Sequence, residues 1–207
     1  ERSKNGALTE YGNSTDSAVT ATNTTGTHVL TWAINRTADT NGNYMTFAYV
    51  RADGTYYIQS VDYTGTSTTA PNRKVIFDYT TPSDPDHRTD IESYYTAGAL
   101  AQTTYRLKAI RTQLNSKDVH KLDLNYKYSA GNAARSRLDT VQECSFNGST
   151  TPACFNATSF AWTDSNNRFD AASDVTTGAT VAGSQYLSGD FNGDGKSDVV
   201  EIQAINA

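Results

Sequence analysis

Leu122-Asp123-Leu124-Asn125-Tyr126-Lys127-Tyr128 is the stretch that decides the fold. Apolar and polar residues alternate through it, and a period of two sends every second side chain to the same face of an extended strand. The same period runs through Leu30, Trp32 and Ile34, through Met45, Phe47 and Tyr49, and through Val75, Phe77 and Tyr79. Further strands are expected over residues 56–63, 105–111, 137–143 and 158–162. Turn-forming pairs separate the runs: Gly42-Asn43, Asp53-Gly54, Pro71-Asn72, Gly131-Asn132 and Asn147-Gly148. Only residues 94–102 invite a helical reading, and a segment so short does not hold a helix by itself. The expected class is all-β, an antiparallel β-meander sheet or shell with one solvated face. Leu30, Trp32, Phe47, Tyr49, Phe77, Leu122, Leu124 and Trp162 are its expected buried residues, each opposite polar neighbours.

Composition agrees. Of 207 residues, 31 are Thr and 13 are Tyr, against a single Met. Threonine and aromatics suit pleated, half-buried surfaces. With 11% aromatic and 19% charged residues the chain does not have the makeup of a disordered segment. A net charge of −5 and no basic stripe exclude an electrostatic footprint for nucleic acid. No apolar run approaches the ~20 residues of a membrane-spanning helix. The chain opens with Glu1-Arg2-Ser3-Lys4, a start that is not expected to be a secretory leader. A start without Met and an end inside a strand-like run are expected of a piece of a longer protein.

After residue 163 the pattern loosens into Asp, Ser, Asn, Thr and Gly. The expected division is a β-domain over 1–163, then a linker and the start of a second unit over 164–207. That unit holds the sharpest motif, Asp190-Phe191-Asn192-Gly193-Asp194-Gly195-Lys196-Ser197-Asp198. Its oxygen donors recur at every second position, and a hard cation such as Ca²⁺ wants six to eight oxygens around one point. The candidate ligands are the side chains of Asp190, Asn192, Asp194 and Asp198 with the Lys196 carbonyl. Glu201 stands where an EF-hand places its bidentate glutamate. The strand-like alternation that follows the loop argues against an EF-hand and turns Glu201 away from it. An ion-free polar turn is the other reading.

Cys144 and Cys154 flank a stretch with Asn147-Gly148 and Pro152, a hairpin-loop composition whose spacing permits a disulfide across paired strands. Two free thiols are the alternative; a metal pair lacks a neighbouring histidine or further cysteine. A disulfide implies export. His87 lies in a loop with Asp84, Asp86 and Asp90, where an acid/base or metal site competes with a plain solvated loop. There is no nucleophile elbow, phosphate-cradling glycine loop or His-Glu-x-x-His helix. Aromatics that alternate inward read as core before they read as a sugar-stacking platform. The sequons at Asn13, Asn23, Asn35, Asn147 and Asn156 are no more than this composition produces by chance.

The order of fragments carries a resemblance. Lys4-Asn5-Gly6 and Glu10-Tyr11-Gly12 precede Trp32-Ala33-Ile34-Asn35-Arg36, then Gly42-Asn43-Tyr44 with Phe47 and Tyr49. Val75-Ile76-Phe77-Asp78-Tyr79, Arg106-Leu107-Lys108-Ala109-Ile110, residues 122–128, Ser136-Arg137-Leu138, Glu143-Cys144, Cys154 and Phe160-Ala161-Trp162 follow. This succession resembles the SpvB-type region of insecticidal toxin-complex B components and of Rhs (YD-repeat) proteins. There the region leads into FG-GAP (VCBS-like) propeller blades, and residues 189–200 resemble the signature loop of one β-propeller-like blade. The resemblance implies a β-rich shell within a large secreted or surface-exposed bacterial assembly, enclosing a C-terminal effector and docking it to a translocation channel. Its partners would be other parts of the same chain or toxin-complex subunits. The sequence departs from the family in having no run of YD repeats, no Glu-x-Glu motif of an ADP-ribosyltransferase and only one blade motif.

Three functions compete: a non-catalytic wall or gate of a toxin-delivery or Rhs-type capsule, an adhesin or module binding a host-surface glycan or receptor, and a hydrolase with an Asp-based site within residues 84–90. Glycosidases need two carboxyls at a set separation across a cleft. Loop spacing does not supply that, so no enzyme is expected in this segment.

Overall fold

The alternation is realised as antiparallel pairing throughout. The computed structural model describes residues 1–130, 134–163, 183–189, 191 and 197–202. Its strands are β1 (Leu8–Tyr11), β2 (Ala18–Asn23), β3 (Gly26–Trp32), β4 (Ile34–Ala38), β5 (Tyr44–Ala52), β6 (Thr55–Gly65), β7 (Arg73–Thr80) and β8 (Glu92–Thr96). They continue with β9 (Ala99–Thr103), β10 (Arg106–Leu114), β11 (Lys117–Tyr128), β12 (Ser136–Ser145), β13 (Ala153–Cys154), β14 (Thr158–Ser159), β15 (Gln185–Gly189) and β16 (Asp198–Ile202). The described residues contain no helix. Two compact units divide the chain, Glu1–Ser165 and Asn166–Ala207.

In the first unit a 10-stranded sheet runs β1-β4-β5-β6-β7-β10-β11-β12-β13, with β14 also on β12. This is a meander interrupted twice, each time by an inserted hairpin, β2–β3 or β8–β9, that forms its own two-stranded sheet. The second insertion is the segment that invites a helical reading. Its tip, Ala97-Gly98, has φ of 49° and 78°, and Asp53-Gly54 has 51° and 76°. Two successive positive φ values are the turn that matches strand twist in a two-residue hairpin. Asn115-Ser116 closes β10–β11 in the same way, with φ of 49° and 62°.

Register sorts the side chains onto two unlike faces. Phe47, Val61 and Val75 stand opposite one another across β5, β6 and β7, and Phe77, Ile110 and Leu122 do so across β7, β10 and β11. Leu124 faces Val141 on the same side. The other face is charged. Glu10–Arg36 at 3.2 Å, Asp62–Lys74 at 3.1 Å, Asp78–Arg111 at 2.6 Å and Arg111–Asp118 at 3.2 Å cross it strand by strand, and Lys121 pairs with Asp123 at 2.7 Å along β11.

Burial is where the sequence expectation fails. Leu30, Phe47, Tyr49, Phe77, Leu122 and Leu124 are half-buried, and Trp32 and Trp162 are 61% and 50% exposed. Among the described residues the largest wholly buried side chains are Thr80, Cys144 and Ser17. Alternation assigns a face but not a covering layer, and a sheet buries its apolar face only against a second layer. Small residues do close together where the hairpins dock: Val19 and Ala21 on β2, Ala99 and Ala101 on β9 are buried.

Polar contacts hold these hairpins. The Asp16 carboxylate accepts from the Tyr49 N–H at 2.8 Å, and Arg51 Nη1 donates to the Ala18 carbonyl at 3.1 Å. The Gln102 N–H donates to the Asp53 carbonyl at 2.8 Å, and the Thr104 hydroxyl to the Asp53 carboxylate at 2.6 Å. A Cβ on Gly54 would lie 2.3 Å from the Leu100 carbonyl oxygen, on a backbone whose φ already favours glycine. Gly54→Ala is therefore expected to lower stability by about 1–3 kcal/mol or more. Urea unfolding checks it, and an unchanged midpoint would mean that the turn is not clamped against β9.

Candidate functional site

The loop over residues 81–91 gathers the sequence's candidate acid/base groups, and bonds within the loop and to the sheet beside it consume most of them. Asp84 accepts from the Thr81 N–H at 2.6 Å and the Thr81 hydroxyl at 3.0 Å, bonds that hold its carboxyl below the usual range. His87 Nδ1 lies 2.8 Å from the Asp84 carbonyl oxygen. Asp90 accepts from the Ser136 N–H and hydroxyl, both at 2.9 Å, and pairs with Arg88 at 3.1 Å. Arg106 pegs the loop by donating to the Asp86 carbonyl at 2.6 Å, its guanidinium lying 4.7 Å over the Tyr126 ring. The Tyr128 hydroxyl accepts from the Thr89 N–H at 2.8 Å and from Arg106 at 3.2 Å. Burial pushes the Tyr128 phenol up, and these two donors outweigh it and leave it below its ordinary value. Sequence reasoning misses Arg106, Tyr126 and Tyr128 as members of this cluster; the available signal is an arginine on β10 two strands from a loop of Asp and Pro.

Burial opposes ionisation of Asp90 and of Asp16, yet the donors around each hold both carboxyls below the ordinary value. A carboxyl depressed in the folded state contributes stability that is present above its unfolded pKa, about 3.9. That contribution is lost as pH falls through the lower, folded value. Melting temperature is expected to drop below about pH 4, less steeply in Asp90→Asn. An identical acid limb in that variant would sink the assignment.

A shallow groove of ≈ 410 Å³ opens over the charged face, with Asp78, Lys108, Arg111, Asp118, Lys121 and Asp123 in its lining. Arg111 donates to Asp78 through Nε at 2.6 Å and Nη2 at 3.1 Å, and to both Asp118 oxygens through Nη1 at 3.2 Å. Apart from Lys108, these groove charges are spent on one another. Among the described residues no group of three or more His, Cys, Asp or Glu could hold a metal ion.

Cys144 and Cys154 are bonded, directly opposite each other between β12 and β13. In the second unit β15 and β16 form an antiparallel hairpin. The Tyr186 hydroxyl reaches the Glu201 carboxylate across it at 3.3 Å, and Asp198 accepts from the Phe191 N–H at 3.1 Å. Asp190, Asn192, Asp194 and Lys196 lie outside the described residues, so Asp198 alone of the expected calcium ligands is placed. The aromatic expectation needs correcting as well: besides the two tryptophans, Tyr95 is 75% and Phe155 70% exposed. No described helix is long and apolar enough to cross a membrane.

Residues 1–78 match the family model described as SpvB, Salmonella virulence plasmid 65kDa B protein. No curated protein matches the chain. Among solved structures, a chain in the crystal structure of TcdB2-TccC3-Cdc42 aligns at 17% identity over 78% of this chain, with a TM-score of 0.61. The Photorhabdus luminescens Tc holotoxin pore aligns at 16% identity over 77%, with a TM-score of 0.57. The N-terminal domain of effector protein SpvB from Salmonella typhimurium strain LT2 aligns at 14% identity over 70%, with a TM-score of 0.53. The alignments cover 10% of each Tc chain and 60% of the SpvB domain. The fold is thus shared with toxin-complex and SpvB structures.

Proposed function

We propose that this chain is a non-catalytic structural β-module of a large secreted bacterial toxin-complex or Rhs-type protein, a panel in the wall or gate that encloses or delivers an effector. The half-buried apolar face of the ten-stranded sheet carries the reading. A sheet with one charged, largely self-paired face and one apolar face left half-buried is a part that needs neighbours. The aligned Tc chains are about ten times as long as the stretch this chain covers, which supports neighbours in the same polypeptide or in partner subunits. In the full-length protein, Phe77→Asp or Leu122→Asp should abolish assembly or effector retention, while Lys108→Ala on the groove side should not. Wild-type assembly of both aspartate variants would defeat the proposal. Turnover of glycosidase or esterase substrates that is lost in Asp86→Ala would defeat its non-catalytic part.

The second reading is an adhesin or carbohydrate- or receptor-binding module, favoured by the exposed Tyr94 and Tyr95 of β8. Glycan-array binding lost in Tyr95→Ala would establish it.

Residues 190–198 are the loop of a partial FG-GAP (VCBS-like) blade that takes Ca²⁺ in preference to Mg²⁺, since so many oxygen donors in one loop suit the larger ion with its higher coordination number. Calcium at about 10⁻⁴–10⁻³ M should raise the melting temperature. Asp190→Ala or Asp194→Ala should remove the rise, and Glu201→Ala should keep it. A parent protein indifferent to millimolar Ca²⁺ would return the loop to a polar turn.

A further inference from the structure

An asparagine followed by glycine is the pair whose side chain cyclises most readily, because no Cβ shields the following backbone nitrogen. The sequence carries the pair four times, at Asn5-Gly6, Asn41-Gly42, Asn147-Gly148 and Asn192-Gly193. The last lies outside the described residues. The other three are the same dipeptide, and their surroundings separate them.

Two of the pairs are held. The Gly6 N–H donates to the Ser3 carbonyl at 2.9 Å, while Asn5 Oδ1 accepts from the Ala7 N–H at 3.2 Å and from the Ser3 hydroxyl. A Cβ at Gly6 would lie 2.5 Å from Thr40 Cγ2, so that turn is packed as well as bonded. The Gly42 N–H donates to the Asp39 carbonyl at 3.3 Å. Asp39 Oδ1 also accepts from the Asn41 N–H at 2.8 Å and the Asn43 N–H at 2.9 Å, which clamps the backbone on both sides of the glycine.

Asn147-Gly148 lacks these restraints. It forms the turn after β12, where the Ser149 N–H donates to the Phe146 carbonyl at 2.6 Å. Among the described residues nothing accepts from the Gly148 N–H, and nothing bonds the Asn147 side chain. Both residues are exposed, and a Cβ on Gly148 would meet nothing within 4 Å. Gly148 and Ser149 border an open groove of ≈ 450 Å³, which admits water.

We propose that Asn147 is a self-modification site, converting to aspartate and isoaspartate through a cyclic imide with Gly148, with water as the co-reactant. The Gly148 amide nitrogen gives its proton to solvent base and attacks Asn147 Cγ. The N–Cγ bond forms, the Cγ–Nδ2 bond breaks, and the side-chain nitrogen takes a proton from solvent and leaves as ammonia. Water then opens the imide. Cleavage at Cγ leaves aspartate, and cleavage at the Asn147 backbone carbonyl carbon leaves isoaspartate, with the main chain routed through the side chain. Nothing is oxidised or reduced. Each event replaces a neutral amide with a carboxylate, so this loop slowly and irreversibly gains negative charge.

Incubating the full chain in buffer and mapping its peptides by mass and chromatography gives the three rates. Asn147 should convert faster than Asn5 and Asn41 by about tenfold or more, the factor set by the hydrogen bond that holds each of the other two nitrogens. Both acid isomers should appear, at a rate that rises with pH. In urea with reductant the three rates should converge, since the surroundings that separate them are gone. Asn147→Gln should remove the reaction from its peptide, because the longer side chain closes its ring far more slowly. Equal rates in the folded protein, or a lead for Asn147 that survives unfolding, would overturn the proposal. Aspartate without isoaspartate would mean direct hydrolysis and would overturn the imide.

Discussion

Tyr57→Ala is expected to lower the free energy of unfolding by about 3–5 kcal/mol. The Tyr57 hydroxyl accepts from two successive backbone donors, the Thr104 N–H at 3.0 Å and the Tyr105 N–H at 3.2 Å. Its ring stacks on Tyr105 at 4.9 Å and lies 5.4 Å from Tyr79, so one side chain ties β6 and β7 to the chain entering β10. Truncation strands both amides and forfeits two aromatic contacts. Tyr57→Phe separates the parts. It keeps the rings and orphans the donors, for an expected loss of about 1–3 kcal/mol. Urea midpoints of the three proteins give the comparison, and a Phe variant as stable as the parent would show that water replaces the hydroxyl.

The cluster also bears on alkaline stability. Burial, with Tyr57 nearby, pushes the Tyr79 phenol up to about 12. A phenol raised in the folded state contributes stability below its unfolded pKa of about 10, and that contribution is lost as pH rises toward the folded value.

Removing the disulfide is the second large effect. In the chain-entropy model, a bridge across the sequence separation of 10 stabilises by about 2.5–3 kcal/mol by restricting the unfolded chain. Cys144→Ala with Cys154→Ala should lose that amount in denaturant unfolding, with non-reduced mass and alkylation verifying the bond in the parent. A double variant within about 0.5 kcal/mol of the parent would place the bridge among those whose native strain cancels the entropic gain.

The strand pattern is legible in the sequence because its cause is local. Leu122 to Tyr128 alternates, each β-strand residue turns its side chain opposite to the last, and Asp53-Gly54 or Asn147-Gly148 marks where the chain reverses. Spacing leaves Cys144 and Cys154 open between a bond and two free thiols, and the register between β12 and β13 closes that choice. Ala97-Gly98 shows the limit of local reading. Residues 94–102 invite a helix by pattern though they are too short to hold one alone, and the hairpin there is decided by Ala99 and Ala101 burying beside β2 and by Gln102 bonding to Asp53.

The tertiary structure alone decides which strands are neighbours and which faces are covered. The step from β7 to β10 skips a hairpin, and no periodicity records a skip, since an inserted hairpin alternates like any other. The ion pairs from Glu10–Arg36 to Arg111–Asp118 likewise exist only once register sets their strands side by side. Trp32 and Trp162 are the plainest case. Their alternation with polar neighbours points both toward a core, but alternation reports only which side of a strand a residue takes, and burial depends on whether another layer arrives to cover that side.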